Sequence, residues 1–250
     1  HITIPDSVTS VGSQIFSRYS RITGLTLPET VTYIGYSAFE GCPNLRTLTF
    51  KARTANNQDE VFRNCTALEE VTFDCPSVTF GEYWMRGCTS LRRISLGGTR
   101  IFAEPADIAV SALEEVYTDS LEAWCLSCFP LPTSAALYID GVVPESLSVP
   151  DGIEALNDYA FNGQAYNTIV LPASLRRIGD YALSDVKAIM SESSVPPSAS
   201  EHAFARVDLS APVTVPTGCV DAYRAAPVWR DFTYYSQSTS GVGDFEAFGD

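Results

Sequence analysis

Residues 25–47 read LTLPETVTYIGYSAFEGCPNLRT, and this stretch decides the fold. Leu25-Thr26-Leu27 alternates apolar and polar residues, the period of a short strand with one face buried. Pro28 ends it, because proline cannot donate to a ladder. Val31-Thr32-Tyr33-Ile34 is a second alternating segment, closed by Gly35. Ala38-Phe39-Glu40-Gly41-Cys42 reads as one tight helical turn that drops Phe39 inward, and Asn44-Leu45 leads into the next strand. None of these pieces can bury its apolar side alone, so neighbouring copies must do it.

The copies are there. Ile2, Leu25, Leu48, Val71 and Ile94 recur 23 residues apart. Ile4, Leu27, Phe50, Phe73 and Leu96 follow two places later, and Phe16, Phe39, Phe62, Met85 and Ile108 form a third column. A fourth runs Ile22, Leu45, Leu68, Leu91, Leu113. Four columns in one register describe coils stacked side by side, a solenoid whose core grows in one dimension. Two coils depart from the pattern, at Phe50–Asn57, which lacks the proline turn, and at Gly98–Asp107.

Beyond Leu96 the clock loosens. Ser120-Leu121-Glu122-Ala123-Trp124 predicts a short helix, and Pro130-Leu131-Pro132 a loop. Leu137–Val143 predicts a hairpin, since Asp140-Gly141 suits a tight primed turn. The repeat restarts at Leu147-Ser148-Val149-Pro150 and at Ile169-Val170-Leu171-Pro172. Val213-Thr214-Val215 reads as the last strand, Val220–Tyr223 begins a helix, and Trp229 and Phe232 cover the final rung. The expected organisation is a first block of repeats at 1–116, an irregular helix–hairpin insert at 117–146, a second block with a closing unit at 147–235, and an acidic Ser/Gly-rich tail at 236–250.

Acids outnumber bases 30 to 16, and the net charge of −14 argues against nucleic acid and anionic membranes as partners. No apolar run approaches the ~20 residues of a membrane helix. The repeat is already in register at Ile2, so a targeting signal is expected upstream of His1. The same reading leaves Ile4, Val11 and Phe16 of the first coil without an upstream neighbour and predicts weak self-association through that end.

Chemistry-bearing motifs are sparse. Cys42, Cys65 and Cys88 share one repeat column and read as buried, reduced thiols. Cys125-Leu126-Ser127-Cys128 is a C-x-x-C with no second pair or nearby histidine to complete a metal set. The two histidines, His1 and His202, lack an evident nucleophile partner. Among 30 acids some pair will lie close by chance, so a glycosidase dyad has no specific signal. There is no P-loop and no G-x-G-x-x-G. No catalytic, cofactor-binding or metal-binding residue is expected. Asn64-Cys65-Thr66 fits an N-glycosylation pattern around a core cysteine, and Asp6-Ser7-Val8 and Asp119-Ser120-Leu121 resemble a short bacterial O-glycosylation motif.

The strings ITIPDSVTSVG (2–12) and LSVPDGI (147–153) closely resemble the BspA-like leucine-rich repeats of Bacteroides-type surface proteins. Tyr159-Ala160-Phe161-Asn162-Gly163 and Ile178-Gly179-Asp180-Tyr181-Ala182-Leu183 resemble them too. Leu121-Glu122-Ala123-Trp124 followed by Leu137–Gly141 looks like the insert common between blocks of these repeats, and Val215–Tyr223 like their last unit. The resemblance covers nearly the whole chain. It implies a leucine-rich-repeat solenoid of short strands and helical turns, secreted or held at the surface of a gut or oral bacterium. Some relatives are described as adhesins for host proteins or other cells, and no family catalytic residues exist to carry over.

Function is therefore expected on an extended face. Arg46, Glu69, Arg92, Glu114 and, beside them, Thr47, Glu70, Arg93, Glu115 alternate in sign along the stack. They read either as a charged binding strip or as a ladder that fixes register. The irregular stretch brings Tyr117, Trp124, Phe129 and Tyr138 together, candidate partner-contact residues if exposed and core plugs if buried. The chain reads as a non-catalytic surface repeat protein binding a host protein or glycan. The alternative is a stiff spacer holding another domain off the cell.

Overall fold

A computed structural model describes residues 1–53, 58–103, 112–132 and 134–238. Ile108 of the third column, the end of the irregular coil at 50–57, the end of that at 98–107, and the tail beyond Ser238 lie outside the described residues. The chain divides into two compact units, His1–Val143 and Pro144–Asp250.

The first unit contains β1 (Ile2–Thr3), β2 (Ser10–Val11), β3 (Gly24–Leu27), β4 (Tyr33–Ile34), β5 (Thr47–Phe50), β6 (Glu70–Phe73), β7 (Ser77–Thr79), β8 (Arg93–Ser95), β9 (Arg100–Phe102), β10 (Glu115–Thr118), α1 (Leu121–Cys125) and β11 (Ala136–Ile139). Its main sheet is wholly parallel, in the order β1-β3-β5-β6-β8-β10-β11. The register pairs Ile2, Leu25, Leu48, Val71 and Ile94 in one column and extends it to Val116 and Leu137. From Leu25 onward this column is buried, and Ile2 at its head is half-buried. Two-stranded pairs, β2 with β4 and β7 with β9, carry the second segment of each coil.

The tight turn is closed by i→i+3 bonds, as from the Ala38 amide to the Gly35 carbonyl and from Glu40 to Ser37. A left-handed residue sits inside it at the same repeat position in successive coils, with φ of 56° at Gln14, 50° at Ser37, 58° at Glu60 and 56° at Tyr83. That reversal turns alternate amides out of the turn and onto the next coil: Phe16 donates to Ala38, Phe39 to Val61, and Phe62 to Trp84. The backbone is thus satisfied coil to coil where a regular helix would satisfy it internally. The coils come so close at the preceding turn that only glycine fits. A Cβ on Gly35 would lie 2.4 Å from the Ser13 nitrogen, and one on Gly179 2.7 Å from the Asp158 nitrogen. Inside, Phe16, Phe39 and Phe62 stack at 5.3 Å centroid spacing. Each thiol of the cysteine column donates to a carbonyl of the preceding coil at 3.2 Å: Cys42 to Phe16, Cys65 to Phe39 and Cys88 to Phe62.

The stretch read as an irregular insert continues the stack. Ala136–Ile139 pairs in parallel with Glu115–Thr118, so β10 and β11 are two more rungs of the same sheet. Between them α1 replaces the tight turn. Ser120 caps it by accepting from the Ala123 amide, and the Ser127 hydroxyl, donating to the Ala123 carbonyl, accepts from the Ile101 amide of the previous coil. The clock is hidden in the sequence because the helix changes the spacing while the strand register survives. The expected hairpin amounts to one antiparallel bridge, Ile139 to Val142, across Asp140 and Gly141, both with positive φ.

The second unit contains β12 (Ser146–Ser148), β13 (Ala155–Leu156), β14 (Thr168–Leu171), β15 (Arg177–Ile178), β16 (Ile189–Ser191), β17 (Ser198–Ala199), β18 (Val213–Val215), α2 (Val220–Ala225) and β19 (Tyr235–Gln237). Its main sheet, β12-β14-β16-β18-β19, is again parallel, and β13-β15-β17 forms a second. Val213–Val215 is therefore not the last strand, and the tail does not begin at Ser236. Tyr235-Ser236-Gln237 adds a rung that hydrophobic alternation does not reveal. The closing unit is aromatic. Tyr223, Trp229 and Phe232 are buried, Trp229 Nε1 donates to the Pro197 carbonyl at 2.7 Å, and the Tyr223 hydroxyl donates to the Ser193 carbonyl at 2.9 Å.

Candidate binding face

Alternation places one residue of each strand outward, opposite the buried column. In the first unit the register aligns Thr3, Thr26, Thr49, Thr72, Ser95, Tyr117 and Tyr138 in one file. All seven carry a hydroxyl and none is buried. The corresponding file of the second unit, Ser148, Val170, Met190, Thr214 and Ser236, is broken by apolar residues. The signal for the first file was present in the sequence, in the polar middle residue of each strand triplet.

The four aromatic candidates separate into two pairs. Trp124 and Phe129 are 1% exposed and meet edge to face at 6.1 Å. They are core residues and leave the candidate surface, because α1 turns Ala123, Trp124 and Cys125 inward. Tyr117 and Tyr138 stand half-exposed on the outward file and stack on each other. The Arg93 guanidinium lies 5.6 Å from the other face of Tyr117. With both faces covered, Tyr117 presents its edge and its hydroxyl, which donates to Glu115 at 3.2 Å. Partial burial, and after it the Glu115 carboxylate, raises the Tyr117 pKa and keeps it a neutral donor.

Beside this file run the charges. Arg46 pairs with Glu69, and Arg93 bridges Glu115 at 2.7 Å and Glu70 at 3.4 Å. Hydrogen bonding to Glu115 raises the Arg93 pKa. These pairs are solvent-exposed, so each is worth about 0–1 kcal/mol. Their alternation cancels the field a charged ligand would feel and fixes register instead. On the opposite flank a groove of about 740 Å³ crosses several coils of the first unit and contains the ion pairs Lys51–Asp74 and Arg53–Glu29, both at 2.9 Å.

No arrangement for nucleophilic or metal chemistry is assembled among the described residues. They include no group of three or more His, Cys, Asp or Glu able to hold a metal. Burial pushes the Cys125 thiol up to about 12, the wrong direction for a redox nucleophile. His202 is exposed, stacked on Tyr181 at 5.5 Å and 3.6 Å from Asp180. No helix among the described residues is long and apolar enough to cross a membrane.

A family model for the BspA type leucine rich repeat region matches residues 1–103 and 143–220, in six copies. The chain belongs to this family. The matched segments hold the parallel rungs except β10 and β11, which fall between them with Tyr117, Trp124, Phe129 and Tyr138, and β19, which lies beyond. No curated protein matches the sequence significantly. Among solved structures, a leucine rich cell surface protein from Faecalibacterium prausnitzii is similar over 95% of this chain and 87% of its own, with 14% identity and a TM-score of 0.33. A leucine-rich repeat protein from Bacteroides ovatus is similar over 94% of this chain and 77% of its own, with 19% identity and a TM-score of 0.37.

Proposed function

We propose that this BspA-type protein is a non-catalytic repeat protein, secreted or held at a bacterial surface, that binds a macromolecular partner through the outward face of its first unit. The observation that carries this reading is the seven-membered hydroxyl file, uninterrupted from Thr3 to Tyr138 and flanked by a groove. A sheet with regularly spaced donors and acceptors offers an extended ligand many weak contacts, and the net negative charge leaves proteins and glycans as partner classes. The ion-pair files favour a second reading, a stiff spacer, because they add rigidity without recognition.

A binding screen against host matrix proteins and mucin glycans separates the two. Deleting the 117–146 stretch is no suitable control, since it removes two rungs of the sheet. Tyr117→Ala/Tyr138→Ala leaves the buried column intact and serves instead. A ligand whose binding the double variant weakens supports the binding face. No ligand in the screen, or binding untouched by the double variant, overturns it.

A further inference from the structure

We propose that the groove beside the hydroxyl file is a subsite for a neutral, unbranched glycan chain lying along the stack; this deepens the binding-face reading and rests on it. The groove is formed where successive strands end. Thr3 and Asp6 bound it in the first coil, Pro28 and Glu29 in the second, Lys51 and Arg53 in the third, Asp74 in the fourth, and Gly97 and Gly98 in the fifth. Five rungs at ~4.8 Å make a trough roughly 19 Å long, suited to several linked rings rather than one small molecule.

Its charges select the ligand. Both described cations lining it already hold a carboxylate, Lys51 with Asp74 and Arg53 with Glu29. A polyanion finds no spare cation among the described lining residues, and a polycation finds two of the three lining acids engaged, Asp6 being the third. What remains is a set of paired carboxylate oxygens, the Lys51 ammonium and the planar Arg53 fork, which together suit vicinal hydroxyls that donate and accept at once. Thr3 and Thr26 add hydroxyls to the lining. An extended peptide would look for an open strand edge. The edges of this sheet, β1 and β11, are its two ends; the groove starts at Thr3 on β1 and runs across the coils, not along either edge.

Gly97 and Gly98 contribute no side chains of their own and open a bay, with the Asp119 carboxylate 3.9 Å from a Cβ built on Gly97. A Cβ on Gly98 would meet nothing within 4 Å, and the position does not require positive φ. Gly98→Trp should therefore fill the bay and leave the fold unstrained.

The test is calorimetric titration of the whole chain with neutral linear gluco-, manno- and galacto-oligosaccharides from disaccharide to octasaccharide, with a heparin fragment and a basic peptide as charged probes. Binding of at least one neutral series is expected, rising with chain length and insensitive to salt. Gly98→Trp should weaken it at least about ten-fold with an unchanged Tm, and Lys51→Met should weaken it as well. Failure of every neutral series, binding only of heparin or peptide, or a Gly98→Trp variant that binds like the parent would overturn the assignment. A macromolecule that still binds through Tyr117 and Tyr138 in that case leaves the binding face standing and removes only the glycan groove.

Discussion

Tyr117 and Tyr138 lie face to face, 4.4 Å between ring centroids and 15° from parallel, as direct register partners on β10 and β11. Arg93, one rung earlier, closes the far side of Tyr117. The stack holds two large outward side chains in one orientation before any ligand arrives, so less rotamer entropy is lost on binding. Tyr138→Ala should lower stability by only about 0.5–1.5 kcal/mol, the worth of an aromatic pair. It should weaken the partner's binding more than that, measured by titration beside a thermal melt.

Trp124→Ala should behave in the opposite way. Its side chain is packed against Phe129 in the core, so its removal should cost about 3–5 kcal/mol. At temperatures where the variant remains folded, binding should match the parent. A selective loss of binding without a fall in Tm would return Trp124 to the contact surface.

The contrast between these two residues shows what a single sequence reveals. The buried columns were legible because large apolar residues recurring every 23 positions are the mark of stacked coils, and Leu25, Leu48, Val71 and Ile94 stack as expected. The outward file was harder to read. Threonine and serine are ordinary in strands, and only register turns Thr26, Thr49, Thr72 and Ser95 into a line. Proximity in sequence grouped Trp124 with Tyr117, whereas α1 sends one inward and β10 sends the other out.

The cysteine column should be chemically silent in the native state. Burial pushes Cys88 up to about 12, and the Cys42 hydrogen bond, followed by burial, raises Cys65. The thiolate is the reacting form, so native Cys65 and Cys88 should resist thiol titration near neutral pH; the Cys65 hydrogen bond lowers the Cys42 pKa, and Cys42 is protected by its full burial instead. In denaturant all three should be recovered. A disulfide between any two of them, seen by mass spectrometry after alkylation, would contradict the packing role.

Alkali should loosen the closing unit. Burial raises Tyr223 and Tyr235 to about 12, above the ordinary tyrosine value of about 10. Between those values the unfolded chain has released protons that the folded chain still holds. Their contribution is complete below about pH 10 and is lost as pH rises through about 12. Unfolding midpoints measured from pH 8 to 12, with tyrosinate absorbance, should fall over that window. Tyr223→Phe should flatten the slope and should cost about 1–3 kcal/mol at neutral pH, because Ser193 and Ser191 lose their buried partner.

The first coil carries the last prediction. Ile15 occupies the column of Ala38, Val61 and Trp84, which are fully buried, yet it is 61% exposed. Phe16 is half-buried where Phe39 and Phe62 are covered. On the same side β1 and β2 stand at the ends of their sheets with one backbone edge unpaired. Apolar columns and an open edge together form the surface that each coil offers the one before it, and among the described residues no strand covers it. A second copy offers the same surface, which a twofold arrangement would bury isologously. Sedimentation at rising concentration should show weak dimers, and Ile15→Lys should abolish them while leaving Tm within about 0.5 kcal/mol equivalent, as for a surface change. A chain that stays monomeric at every concentration would mean that the exposed Ile15 and the two open edges are held apart by water more favourably than by each other.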